Sequence, residues 1–119
     1  MTTRQTGQAG EAQAAAFLEA KGYQIVARNF LVPGGELDLV AYDKKTLVFV
    51  EVKKRASNAF GGPVAAVWHT KQKRVARAAA QFLKAKSPKF DSIRFDVICV
   101  LPQGIEHISN AFVPQRTTL

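Results

Sequence analysis

The apolar positions change their spacing several times along the chain. From Thr6 to Lys21 they recur at helical intervals, with Ala14, Ala15 and Leu18 on one stripe. Thr6 offers an N-cap and Gly22 a left-handed stop, so residues 6–21 are expected to form a helix. From Tyr23 to Leu31 the spacing falls to two, the mark of a strand, and Pro33-Gly34-Gly35 ends it. Two further strands are expected at Glu36–Tyr42 and Thr46–Lys54, joined by the polar turn Asp43-Lys44-Lys45. Residues 55–63 are rich in glycine and small residues and read as a loop. Thr70 can cap a second helix, whose stripe Val75, Ala79, Phe82 and Leu83 keeps helical spacing until Ser87-Pro88 closes it. Ser92–Leu101 reads as a fourth strand, Ile105–Val113 as a weaker fifth, and the tail after it as frayed. The expected fold is α/β in the order α-β-β-β-α-β-β, a mixed central sheet flanked by helices.

Composition narrows this little, except in two respects. A length of 119 residues suits one domain spanning 1–119, with its core at about 7–101. The single cysteine, Cys99, lies in the apolar run Val97-Ile98-Cys99-Val100, which excludes an intrachain disulfide and reads as core. The polar N-terminus lacks the apolar segment of a signal peptide, and no apolar run reaches the ~18 residues needed to cross a bilayer. A soluble protein of the reducing cytoplasm is expected, without a membrane partner.

Charge adds more. Between Lys53 and Arg94 stand eleven Lys or Arg and one acid, Asp91, whereas the rest of the chain has six basic and eight acidic residues, for a net +8 overall. A basic block beside a carboxylate cluster suits a bound polyanion with a cation among the acids, so nucleic acid is the expected partner. Excess lysine serving only solubility would leave the same count.

The hairpin concentrates the chemistry. A tight turn at Lys44-Lys45 pairs Asp43 with Thr46, and the same register sets Asp38 opposite Glu51 and Glu36 opposite Lys53. Alternation then puts these four on one face with Val40 and Phe49, and Leu37, Leu39, Val50 and Val52 on the other. Two opposed carboxylates on a largely apolar face repel unless one is protonated or a cation joins them, and hard ions such as Mg²⁺ prefer such oxygens. An ion-paired patch on a solvated face would need no metal. Glu11 falls on the core stripe of the first helix, an expensive place for an unpaired acid, from which it could join the same cluster; a first-turn glutamate favoured by the helix dipole is the simpler alternative. On the second helix Lys71 shares an arc with Val75, Ala78 and Phe82 and can point to the site, with Arg74 beside that arc. Lys54 and Arg55 follow the site directly and can grip a phosphate backbone.

Glu36-Leu37-Asp38, a gap of twelve residues and Glu51-Val52-Lys53 resemble the D…ExK core of the PD-(D/E)xK nucleases. The segments Gly10-Glu11-x-x-Ala14-x-x-Phe17-Leu18-x-x-x-Gly22-Tyr23, Arg28-Asn29-Phe30 with Gly35-Glu36-Leu37-Asp38-Leu39, and Phe49-Val50-Glu51-Val52-Lys53-x-Arg55 narrow this further. With Lys71-Gln72 and Arg94-Phe95-Asp96-Val97, they resemble the YraN family, small bacterial proteins similar to archaeal Holliday junction resolvases. The resemblance covers roughly residues 7–101. It implies a restriction-endonuclease-like fold, Asp38 and Glu51 as metal ligands with Glu11 assisting, Lys53 as the catalytic lysine, and Mg²⁺ or Mn²⁺ as cofactor. Glu36 is expected in a supporting role. The implied reaction is attack of a metal-activated water on a DNA phosphodiester, with branched DNA and a two-fold homodimer suggested by the resolvase relatives. One departure is plain: Leu37 stands where the superfamily's name has proline. A binding module that keeps the fold without efficient catalysis, with RNA or DNA as ligand, is the alternative, and a basic partner of another protein the third reading.

Overall fold

The computed structural model describes residues 3–55 and 69–114, with side chains from Ala9 to Arg55 and from Lys71 to Pro114. Its first helix, α1 (Thr3–Ala20), starts earlier than the sequence suggests, so Thr6 lies inside it and not at its cap. The C-terminal stop is as expected. Gly22 has φ 95°, and the amide of Tyr23 donates to the Leu18 carbonyl at 3.0 Å, which closes the helix and leaves the following strand to begin one residue later.

The strands are β1 (Gln24–Val32), β2 (Gly35–Asp43), β3 (Thr46–Lys54), β4 (Ser92–Leu101) and β5 (Gly104–Ile108), with α2 (His69–Lys86) between β3 and β4. They form one sheet in chain order. All neighbours are antiparallel except β3 and β4, which run parallel because α2 carries the chain back across the sheet. This is the expected mixed α/β sheet with flanking helices. Thr70, proposed as a cap, is within α2, which begins at His69. β5 is shorter than expected: beyond it Asn110 takes φ 54° and the Ala111 amide donates to Phe95, which turns the chain out of the ladder. Most of the glycine-containing loop at 55–63 and the tail after Pro114 fall outside the described residues.

Two apolar layers sandwich the sheet. Ala14, Ala15 and Leu18 of α1 pack on Leu39, Val48, Val50, Ile98 and Val100. Val75, Ala78, Ala79 and Phe82 of α2 pack on Leu37, Val40, Leu47, Phe49 and Val97. The Phe82 ring meets Phe30 and Phe49 edge-on, with centroids 5.3 and 6.0 Å away. Gly35 fixes how closely α2 approaches: a Cβ there would lie 2.3 Å from the Arg74 carbonyl oxygen, so only glycine lets the first turns of α2 reach this end of the sheet.

The hairpin register agrees with the sequence reading from Asp43↔Thr46 to Leu39↔Val50. There the pairing stops, one step short of Asp38 and Glu51. Instead of a ladder bond, the Val52 amide donates to Asp38 Oδ2 at 2.8 Å. The expected division of faces also fails at this point. Leu37 and Val40 both pack toward α2, while Leu39 between them packs toward α1, so alternation breaks at Asp38 and Leu37 does not share a face with Leu39. Across the sheet, β1 pairs Arg28 with Leu39 and Phe30 with Leu37 in one register, with the Asn29–Asp38 pair between them unformed, and Asn29 has φ 51°. The left-handed residue of β1 thus stands opposite the point where the pleat of β2 breaks.

Candidate functional site

Where β2 and β3 part, a cleft of about 470 Å³ opens between the helices. Gly10 and Glu11 of α1, Glu36 and Asp38 of β2, Glu51 to Lys54 of β3, Arg55 and Lys71 of α2 line it. Eight of the nine residues picked out from the sequence thus meet in one place. Arg74 does not: it is exposed, does not line the cleft, and contributes its backbone as the seat for Gly35.

The floor is acidic and buried. Asp38 is 8 % exposed and Glu51 2 %, while Glu11 is half-buried at the α1 wall. Burial pushes the Asp38 carboxyl up to about 8, reinforced by the charges of Glu51 and Glu11 and only partly offset by the Val52 amide. Burial likewise raises Glu11, against a bond from the Asn29 side chain that favours its charged form. Lys71 Nζ lies 2.9 Å from Glu51 Oε1 and 3.9 Å from Glu36 Oε1, and Lys53 Nζ 3.4 Å from Glu51 Oε1. Burial pulls the Lys71 ammonium down, but the bond from Glu51 and the surrounding carboxylates outweigh it and hold it above its ordinary value. Among the described side chains, Glu51 Oε2 alone is a buried polar atom without a hydrogen-bond partner.

Among the described residues, no three His, Cys, Asp or Glu side chains are gathered closely enough to hold an ion. The donor chemistry nevertheless fits a divalent cation. A buried, unpartnered carboxylate oxygen adjoins a second carboxyl that burial and like charge resist ionising, and both conflicts disappear when a dication accepts the two oxygens. Asp38 and Glu51 are the residues that would hold it, with Glu11 behind them.

Asn29 escaped the sequence reading as a site residue. Its signal was present: an Asn amid an apolar strand pattern is the side chain that best tolerates φ > 0. It takes the left-handed conformation opposite Asp38 and its side chain bonds Glu11. Asn29→Gly is therefore expected to keep the backbone and most of the stability, yet lose about tenfold in divalent-ion affinity, whereas Asn29→Ala should lose a further ~1–2 kcal/mol in urea denaturation. Equal stability of the two variants would sink the backbone role.

Asp96 and His107 stand apart from the cleft. Asp96, fully buried, accepts bonds from Arg94 Nε at 2.9 Å, His107 Nε2 at 2.8 Å and the Asn110 amide at 2.9 Å. His107 in turn meets Lys21 Nζ at 2.8 Å. The family-motif aspartate in Arg94-Phe95-Asp96-Val97 is thus the centre of a structural network and does not line the site. Cys99 is buried in β4, as its apolar run suggests. No described helix is long and apolar enough to cross a membrane.

Comparison with known proteins agrees in one direction. The family model described as "Uncharacterised protein family UPF0102" matches residues 10–100. A UPF0102 protein of Geobacter metallireducens is 48 % identical over 111 residues, covering 89 % of this chain and 90 % of the relative. One from Serratia proteamaculans is 45 % identical over 114 residues, with 94 % and 97 % covered, and one from Chlorobaculum tepidum 44 % over 117 residues, with 90 % and 91 % covered.

Proposed function

The chain belongs to the uncharacterised protein family UPF0102, the YraN family, and on the geometry of its cleft we propose that it is a divalent-metal-dependent endonuclease with a restriction-endonuclease-like core that hydrolyses DNA phosphodiesters. The observation that carries this is the pairing of two buried carboxylates, one with an unpartnered oxygen, at a cleft rimmed by four cationic side chains. A Mg²⁺ or Mn²⁺ ion held there would polarise the phosphodiester and make its attacking water more acidic.

The chain's own residues supply the rest. Asp38 and Glu51 provide the negative charge that anchors the cation, and Glu11, fixed by Asn29, adds to it. Lys53, drawn toward Glu51, places an ammonium beside the reacting phosphate to neutralise its growing charge or hold the water. Lys54 and Arg55 at the rim grip the flanking phosphates. Such contacts fix shape and backbone and read no base edges; branched DNA as the substrate class follows from the resemblance to Holliday junction resolvases. A cytoplasmic protein acting as a two-fold homodimer completes this reading.

The second reading is a nucleic-acid-binding module with the same fold and little or no catalysis. It is favoured by the lysines that already neutralise Glu51 and by the ungathered acids. One gel separates the two. Labelled duplex, single strand, flap, four-way junction and RNA are incubated with Mg²⁺, Mn²⁺ or EDTA. Metal-dependent cleavage of any of them supports the enzyme; intact substrates with salt-sensitive gel shifts support the module.

A further inference from the structure

We propose that Lys71 is the cleft's exchangeable counter-cation: it and a divalent ion compete for Glu51, and on losing that contest its ammonium turns to a substrate phosphate. The inference rests on the metal site proposed above and assigns Lys71 a role distinct from that of Lys53.

Glu51 faces two ammonium groups from different elements. Lys53 lies on the same strand, two residues along, with its Nζ 3.4 Å from Oε1. Lys71 arrives from the first turn of α2 and makes the closer contact, 2.9 Å to the same oxygen. A dication beside Asp38 and Glu51 would meet that ammonium within a few ångströms in a poorly solvated pocket, where like charges repel by many times thermal energy. Lys71 holds Oε1 and the unpartnered Oε2 faces the ion, so the two compete through charge at one carboxylate and not for one atom.

Lys71 is also the lysine able to leave. The Lys71 and Lys53 side chains are almost equally exposed, at 20 % and 17 %, but Lys71 has a second partner, Glu36, which lies toward solvent at 38 % exposure and 3.9 Å. A shift along Glu36 carries the ammonium outward to the rim shared with Lys54 and Arg55. There a phosphate oxygen is the natural acceptor. The charge that neutralises the acids before the ion binds becomes the charge that engages the substrate afterwards. Ion binding and phosphate binding are thereby coupled through one side chain.

The two halves of this exchange predict opposite effects from one substitution. Mn²⁺ alone is titrated calorimetrically into the full chain as wild type, Lys71→Met and Lys71→Gln, with Asp38→Asn as control. Binding of a labelled four-way junction is then followed by anisotropy in Ca²⁺. Either neutral variant is expected to bind Mn²⁺ about tenfold more tightly. The same variant should bind the junction roughly three- to tenfold more weakly, with the salt slope reduced by about 0.9. Lys71→Gln keeps a donor for Glu51, so it carries the test if the Met variant loses its fold by circular dichroism. Unchanged or weaker Mn²⁺ binding in the neutral variants, with Asp38→Asn still abolishing it, overturns the role of Lys71 and leaves the metal site standing. Absence of Mn²⁺ binding in every form overturns the metal site, and the exchange with it.

Discussion

Replacing Asp38 with asparagine is expected to lower metal-dependent cleavage on the order of a thousandfold while making the metal-free protein more stable at alkaline pH. The loss follows from removing one of the two buried carboxylates that would hold the cation, a group whose charge matters most in a site shielded from water. The gain follows from linkage. Burial and the neighbouring acids raise the folded Asp38 to about 8 from an ordinary 3.8. Between those values the folded chain binds more protons than the unfolded one, so stability falls as pH rises and levels off above the folded value. Asparagine cannot ionise and escapes this penalty. Urea midpoints in EDTA should therefore show the variant pulling ahead of wild type from about pH 4 to 8, by an amount on the order of a few kcal/mol. Adding Mn²⁺ at pH 8 should stabilise wild type and leave the variant unchanged. A variant that cleaves normally, or one whose advantage does not change with pH, would remove Asp38 from the site. The combination is diagnostic, since damage to the fold lowers activity and stability together, whereas removing a functional carboxylate lowers the first and raises the second.

The opposite outcome is expected at the other buried aspartate. Asp96 is fully buried, yet its carboxyl is held below the ordinary carboxylate range: burial opposes the charge, but the bonds from His107, Arg94 and the Asn110 amide outweigh it. Asp96→Asn keeps the shape but removes the charge on which Arg94 and His107 converge. It strands a guanidinium that also reaches Asp43 at 3.2 Å and the Tyr23 hydroxyl at 2.7 Å, so the residue before β1, the end of β2, β4 and β5 all lose a shared anchor. Breaking one partner of such a buried network costs about 3–5 kcal/mol. Chemical denaturation at pH 7 should record that loss, and the gap should narrow on acidification, because a depressed carboxylate gives up its contribution as pH falls through its folded value. A loss below about 1 kcal/mol would show that the network is ornamental. Mn²⁺ affinity of the folded variant should stay within a factor of a few of wild type, since Asp96 does not line the cleft.

The contrast between these two aspartates marks where sequence stops and tertiary structure begins. Each follows an aromatic or aliphatic residue in an apolar strand, and each belongs to a recognisable family segment. Local sequence determined the period-two runs, the hairpin turn, the closing Gly22 and the apolar stripe of α2, because backbone preference and side-chain period act over a few residues. From these came the element order, the register from Asp43 to Leu39, and the convergence of Asp38, Glu51, Lys53 and Glu11. Alternation alone cannot show that the pleat breaks at Asp38, where the pair with Asn29 of β1 is unformed, and it therefore puts Leu37 on the wrong face. Nor could helical spacing separate Lys71, which reaches Glu51, from Arg74, which stays outside: the difference depends on how closely Gly35 lets α2 approach the sheet. Asp96 meets Arg94 two residues away on its own strand, but His107 on β5 and the Asn110 amide just beyond it reach Asp96 only when the sheet closes. Periodicity fixes which way a residue faces only as long as its own element stays regular. Which charges share a buried space is decided by the packing of distant elements, and the protonation and pairing of these acids depend on that shared space.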